Sequence, residues 1–317
     1  WSQDTYTVVA NTSITNAPGP KPAVDPYKDA EAFEAYLVDN VDLGNLSVSP
    51  GLRYTSIEYK YKGGDLRTLD DVLLGIGAGY KMSDNLSFFG GVHQGHSFPD
   101  AESASSHSSK GLRGIEESLS FELGARGSAS EVFYEVAYFN TGLENMLVLS
   151  SLSGGTANSA NIGEASTQGL EVLVGTDFGG DAGFGIPVSL SATFTETEFE
   201  SSTPPTDGYL SGASKGNEFP FIPDFQINAR AGLVFDKTST YLNYHYQDQV
   251  FANGDNTRSL EAYGILDWSA FHNLSKGVTV FTKVTNLTDE VYAHSVLPDG
   301  YRVGAPRIWS VGLSFDF

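Results

Sequence analysis

Runs of about ten residues alternate apolar and polar side chains almost from one end of the chain to the other, the period of two that marks a β-strand. In the last segment Trp309, Val311, Leu313, Phe315 and Phe317 share one face, and Ser310, Gly312, Ser314 and Asp316 share the other. Phe225, Ile227, Ala229, Ala231, Leu233 and Phe235 oppose Gln226, Asn228, Arg230 and Gly232. Val188, Leu190, Ala192 and Phe194 face away from Ser189, Ser191, Thr193 and Thr195, and Leu119, Phe121, Leu123 and Ala125 away from Ser118, Ser120, Glu122, Gly124 and Arg126. No segment shows the apolar stripe of a helix.

Two kinds of connection alternate between these runs. Short polar turns are expected at Gly44-Asn45, Ser83-Asp84-Asn85, Gly127 to Ser130, Asp236-Lys237-Thr238 and Ser275-Lys276-Gly277. Long Ser/Gly/Pro-rich loops are expected at about 62–70, 98–115, 151–163, 200–222, 253–258 and 288–305. The pattern predicts thirteen strands from residue 31 onward and one more near Asp4 to Ser13, about fourteen in all. Soluble sandwiches use strands of ~5–6 residues, shorter than the ten to fifteen read here. Tight turns at one end, extended loops at the other, an even strand count, one apolar face and one polar face describe a transmembrane barrel. Closure would also remove the edges of a long open meander. The predicted fold is therefore all-β, an antiparallel up-and-down transmembrane β-barrel region covering residues 1–317. A helical span is excluded, because the longest near-apolar run, Val72 to Tyr80, is about nine residues and one-third glycine, against the ~18 a helix needs.

Composition narrows the function classes. With 18 Lys and Arg against 39 Asp and Glu, the formal charge is 18 − 39 = −21. No basic stripe is present to displace counterions from a phosphate backbone, so nucleic acid is not an expected partner. Charged residues make up only 18% of the chain, so the imbalance reflects scarce bases and not acidic tails. Glycine, 35 of 317 residues, and a 12% aromatic content suit turn-rich sheets. Cysteine is absent, which removes disulfides, thiolate metal sites and thiol catalysis. The stretch from Trp1 has no basic region followed by an apolar one, so a signal peptide is expected to have been removed or to lie outside the sequence.

Several segments carry a resemblance. The stretch VTNLTDEVYAHSVLPDGYRVGAPRIWSVGLSFDF (284–317) joins Asn286, Leu287, Asp289 and Tyr292 to a loop exit at Gly304, Pro306 and Arg307 and an aromatic-ended strand. With SPGLRYTSIEY (49–59), SFFGGVHQGHSFPD (87–100), EESLSFELGARG (116–127), NIGEASTQGLEV (161–172) and NEFPFIPDFQINARAGL (217–233), it resembles TonB-dependent outer-membrane receptors of the ferric-siderophore type. The wording is closest to the ferric-citrate branch. The resemblance implies a cell outer membrane location in a Gram-negative bacterium, a 22-stranded barrel holding an N-terminal plug, and Phe317 as a signal for the barrel-assembly machinery. About fourteen strands and no plug are read here, so the similarity maps to the C-terminal part of the barrel, and any coupling to TonB would run through a plug absent from these residues.

Candidate ligand contacts follow from the loops. His93, His96 and His107 lie within one 15-residue stretch and suggest a metal or ferric-chelate contact, although they lack fixed ligand spacing and no metal site is assigned. Arginine binds carboxylates through its planar fork, which makes Arg113, Arg258 and Arg302 candidates for an anionic chelate, with pairing to loop acids as the alternative. Asn145 is read as starting the upper end of a strand, from which it could donate to a ligand. Arg53, Arg126 and Arg230 fall on polar strand faces, where lumen charge networks are expected. Adjacent acids such as Asp70-Asp71 and Glu116-Glu117 point to opposite faces and make no acid/base dyad. Gly75-Ile76-Gly77-Ala78-Gly79 has no helix after it and reads as a thinned lumen wall. No catalytic constellation and no cofactor are expected. The function that follows is capture of a ferric siderophore or similar chelate by a monomer seated in outer-membrane lipid and lipopolysaccharide. The alternatives are a passive small-solute porin and a soluble glycan-binding β-protein.

Overall fold

The computed structural model describes residues 5–9, 28–61, 66–99, 113–148, 160–161, 163–179, 183–202, 210, 212–296 and 300–315. Long alternating runs become long strands, and one antiparallel sheet takes nearly all of them. In chain order these are β1 (Thr5–Val9), β2 (Lys28–Val38), β3 (Val41–Leu43), β4 (Leu46–Tyr61), β5 (Arg67–Ser83), β6 (Leu86–Ser97), β7 (Glu116–Ala129) and β8 (Val132–Glu144). After two short strands, β9 (Leu147–Val148) and β10 (Ala160–Asn161), come β11 (Ala165–Phe178), β12 (Phe184–Phe199), β13 (Phe225–Phe235) and β14 (Thr238–Gln247). The last are β15 (Val250–Phe251), β16 (Ser259–Leu260), β17 (Tyr263–Ser275), β18 (Val278–Thr285), β19 (Ala293–Ser295), β20 (Arg302–Val303) and β21 (Ile308–Phe315).

Each long strand pairs with its neighbours in the chain, the up-and-down order predicted. β2 and β3 both pair with β4, interrupted only at Asp39-Asn40, so they count as one strand and the path holds fourteen. The order ends in β1 on one side and β21 on the other, and no ladder joins them among the described residues. The sheet is an open arc.

One end carries two-residue turns: Gly44-Asn45, Asp84-Asn85, Ser130-Glu131, Asp236-Lys237 and Lys276-Gly277. Gly44, Ser130, Asp236 and Gly277 have positive φ there, the conformation that matches strand twist in a tight hairpin. The β7–β8 turn falls later than the expected Gly127 to Ser130, because the ladder continues to Ala129↔Val132. Gly179 (φ 97°), after β11, and Gly183 (φ 79°), before β12, also have positive φ, at a connection absent from the expected short turns.

The two faces differ as alternation requires. Along β5, Val72, Leu74, Ile76, Ala78 and Tyr80 are exposed while Asp71, Leu73, Gly75, Gly77 and Gly79 are half-buried, and Ile76 is still 53% accessible. Apolar side chains this exposed on every strand are covered by lipid, not by protein. On β12 the outward rings of Phe184 and Phe194 lie ten residues apart, about 33 Å along the strand and ~25 Å when tilted by ~40°. Phe194 meets the outward ring of Phe225 (4.6 Å between centroids), and Phe184 pairs with Phe235 at the other end. These rings bracket an apolar band of the expected height. The inward face is polar: Arg53 with Glu34 (2.6 Å), Arg126 over Phe89 (5.3 Å) and Arg230 over Tyr241 (4.1 Å). Of the lumen charge networks expected at those three arginines, Arg53 makes an ion pair, whereas Arg126 and Arg230 stand over aromatic rings instead.

Among the described residues, compact apolar cores occur only in the loops at the mouth. Ala165 and Phe199, at the tops of β11 and β12, bury Leu210, Ala213 and Phe219. Val250, Ala252, Leu260 and Val296 form a second cluster with Phe221 and Ala293.

Candidate functional site

The loop ends of β12, β14 and β18 build a single body at the mouth. The segment 212–224 is tied to 248–262 by Asn256, whose Oδ1 accepts the Glu218 N–H (2.7 Å) and whose Nδ2 donates to the Glu218 carbonyl (3.0 Å). A single amide side chain, carrying both an acceptor and a donor, thus meets both backbone groups of one residue. Phe221 N–H donates to the Phe251 carbonyl (2.8 Å) and joins the two clusters. The hairpin of β19 and β20 then packs on β15 and β16 through Val296, Val250 and Leu260.

The base of the last loop is a clamp made from the C-terminal motif. Asn286 is 1% exposed with φ 53°, and its Oδ1 accepts the Glu290 N–H (2.8 Å). Its Nδ2 donates to the carbonyls of Glu290 (2.8 Å) and Ala305 (3.0 Å), and its own N–H donates to Asp267 Oδ1 on the lumen face of β17 (2.8 Å). Asp289 Oδ1 accepts the Arg307 N–H (3.1 Å), and Arg307 Nη1 donates to the Leu287 carbonyl (3.3 Å). Tyr292 stacks on Tyr263 (4.3 Å) and lies against Gly304, where any Cβ would strike its ring. The motif that carried the resemblance is thus structural. It holds the loop, not a ligand.

The body so built brings two predicted residues together. Arg258, just before β16, places its guanidinium 5.2 Å from the centre of the Tyr301 ring, and Arg302 follows Tyr301 on β20. Tyr301 is 64% exposed, Val303 68% and Val291 87%. An exposed aromatic surface with the Arg258 guanidinium held against it can hold an anion that also has an apolar face.

The other predicted residues lie elsewhere. His96, near the end of β6, directs Nδ1 at Asp71 Oδ2 (2.9 Å) and packs edge-on against Phe98 (4.6 Å), so both ring contacts are internal. His93 faces the lumen opposite Gly75. Arg113 precedes β7 across the mouth, and Asn145 follows β8 with φ 52°, a turn conformation suited to Asn. His107 and Phe317 lie outside the described residues. Tyr301, Asn256 and Phe221 were not singled out from sequence. Tyr301 beside Arg302 is the only signal that could have flagged the aromatic half of the patch.

Acids dominate the rest of the mouth. Glu196, Glu198, Glu218 and Asp224 line one cavity of ~620 Å³. Burial pushes the carboxyls of Glu218 and Asp224 upward, reinforced for Asp224 by Asp248 and Glu196 and for Glu218 by Asp224 and Glu196. On the outward face just above the upper rings, Glu58, Asp70, Glu117, Glu144, Glu196 and Glu198 follow the apolar band. Among the described residues no group of His, Asp or Glu is arranged to hold a metal ion.

A polar inner wall, a lipid-height apolar outer wall, tight turns at one end and braced loops at the other define an outer-membrane β-barrel wall with a receptor mouth. The family model for the TonB-dependent receptor-like β-barrel matches residues 1–287, and the chain belongs to that family, whose members sit in the outer membrane of Gram-negative bacteria. The pesticin receptor of Yersinia enterocolitica is 24% identical over 315 residues, covering 90% of this chain and 43% of that protein. The crystal structure of the ferric yersiniabactin uptake receptor FyuA from Yersinia pestis superposes with a TM-score of 0.72 at 22% identity, over 92% of this chain and 46% of FyuA. The unliganded ferric citrate transporter FecA gives 0.72 at 19% identity, over 94% of this chain and 47% of FecA. The chain spans less than half the length of each. Equal scores against receptors for two different chelates mean that the shared fold does not choose a cargo.

Proposed function

We propose that this chain is the C-terminal wall and mouth of a receptor that captures a ferric siderophore or similar metal chelate for TonB-dependent uptake. The plug and the TonB-contacting segment are assigned to residues outside it. The observation that carries the reading is the open arc: among the described residues fourteen strands end in two edges that no ladder joins, while keeping the fold of receptors more than twice as long. A passive porin of fourteen strands would need those edges to meet. Capture rests on Arg258, Arg302 and Tyr301, because an anionic chelate entering an acidic mouth needs a local basic patch. Arg113, Asn145, His96 and His107 keep a secondary place, with His96 reaching a ligand only if it leaves Asp71. The acid belt above the apolar band suits lipopolysaccharide phosphates bridged by divalent cations. The role is binding and transport by a monomer, without catalysis or a resident cofactor.

The test is uptake of radiolabelled iron, supplied as defined ferric chelates, by cells whose only receptor of this type carries the chain. Uptake is expected to vanish without TonB, and Arg302→Glu is expected to weaken chelate binding about tenfold by reversing one charge in the patch. Uptake that persists without TonB, or steady open conductance of the receptor in planar bilayers, would favour the porin.

A further inference from the structure

Phe221 has a backbone conformation that its residue type does not explain. Its φ is 65°, and among the described residues every other non-glycine position with positive φ is an Asn, Asp or Ser, none of them bulky. Pro220 and Phe221 form the corner of a turn, and a turn with Pro in its second place and positive φ in its third is one that Gly ordinarily completes. An aromatic residue there strains the backbone, and such strain persists only where the surroundings impose it.

Two apolar clusters impose it. Within Phe219-Pro220-Phe221-Ile222-Pro223, Phe219 and Ile222 pack in the cluster of Ala165 and Phe199, whereas Phe221 packs against the cluster of Val250, Ala252, Leu260 and Val296. The Phe221 N–H turns the same way and donates to the Phe251 carbonyl (2.8 Å). Neighbouring residues cannot share the bend, because the pyrrolidine rings fix φ at Pro220 and Pro223, and Pro223 keeps Ile222 extended. Phe221 is thus where the segment 212–224 reaches the cluster on which Val296 and Ala293 seat the last loop. The segment also has a hold of its own on β12: Phe219 N–H donates to Thr197 Oγ1 (2.9 Å), and Phe199 N–H donates to the Asn217 carbonyl (2.9 Å).

We propose that Phe221 is a strained latch that couples the last loop to the segment 212–224. In the structure the latch is set, with positive φ and the side chain against the second cluster. On release Phe221 returns to negative φ, its side chain and N–H leave that cluster, and the two loops move independently. Relief of strain favours release and burial of the ring opposes it, so a contact that shifts the last loop changes the hold on 212–224. The coupling goes beyond the receptor reading and belongs to the mouth whatever enters it.

Hydrogen exchange of the complete receptor in detergent, with no ligand added, reads the latch at the amides of Gly216, Glu218 and Phe219, all hydrogen-bonded when it is set. Val296→Ala, a truncation in the last loop, is expected to speed their exchange about tenfold. In a Phe221→Ala background, which lacks the ring and keeps the strain, the same truncation is expected to change them by less than about twofold. Phe221→Gly separates strain from packing: it also lacks the ring but accepts positive φ. After correction for intrinsic rates, its amide at position 221 is expected to exchange about tenfold more slowly than that of Phe221→Ala. Heat-modifiable mobility on gels reports assembly of each variant, and Val296→Thr, which keeps the side chain's shape, makes the same test should Val296→Ala not assemble. Exchange at 216–219 that ignores the Val296 substitution, an undiminished response in the Phe221→Ala background, or equal protection of the Gly and Ala variants overturns the latch. The receptor reading stands or falls separately, on iron uptake.

Discussion

At φ 53° Asn286 occupies the left-handed region that Asn tolerates and most side chains avoid, and there its amide meets three backbone groups in a site 1% exposed. Asn286→Ala leaves the Glu290 N–H and the carbonyls of Glu290 and Ala305 without these partners and keeps the backbone strain. The expected cost is about 3 kcal/mol, seen as faster proteolysis of the loop 286–307 while the barrel strands stay protected. Asp224 argues the opposite sign. Its carboxyl is raised by burial and then by Asp248 and Glu196, so the folded loop holds a proton more tightly than the unfolded chain does. The stability this gives is complete below the ordinary carboxylate range near ~4 and is lost as pH rises through the raised value. Asp224→Asn is therefore expected to stabilise the loop 212–224 at pH 7 and to change nothing at pH 3, with hydrogen exchange of that segment as the measurement.

Among elements, the long strands were legible because their order is local: each pairs with its sequence neighbour, and a period of two states which side chains share a face. The register of Phe225–Phe235 against β12 and β14 follows from the same alternation that identified the strand. The hairpins of β9 with β10, β15 with β16 and β19 with β20 were not legible, since ladders two or three residues long are held by clusters such as Val250, Leu260 and Val296 and not by strand propensity. The site was half legible. Charge drew attention to Arg258 and Arg302, but the meeting of Arg258 with Tyr301 depends on how two loops pack. A feature visible only in the register is the pairing of lumen-facing rings with glycines: Phe89 with Gly124, Phe139 with Gly169, Phe133 with Gly175 and Phe281 with Gly312 are direct cross-strand partners. The tip of each ring occupies the space a Cβ would take. Gly169→Ala would collide with the Phe139 ring and the Phe194 carbonyl and is expected to cost about 1–3 kcal/mol. Gly77→Ala, whose Cβ meets nothing within 4 Å, is expected to be neutral or to stabilise by about 0.5–1 kcal/mol. Urea midpoints of heat-modifiable receptor on gels compare the two.

For the whole molecule, the net charge of −21 is compatible with a membrane because the charge is sorted by face and by height. Between the outward rings of Phe184 and Phe194 the outward positions of β12 are Ile186, Val188, Leu190 and Ala192, and the acids Glu196 and Glu198 begin immediately above. Adjacent residues in the middle of this strand therefore face opposite solvents. Leu190 points to the lipid mid-plane, whereas Ser191 points to the lumen beside Asn228 and Arg230. The same substitution at these neighbours separates a barrel wall from any soluble sheet. Leu190→Arg is expected to cost about 2–4 kcal/mol in the bilayer and to reduce the assembled receptor in the outer membrane. Ser191→Arg places its guanidinium in the aqueous lumen and is expected to change stability by no more than about 0.5 kcal/mol. Folding into bilayers monitored by tryptophan fluorescence and gel mobility gives both values, and equal penalties at the two positions would show that the two faces do not meet different solvents.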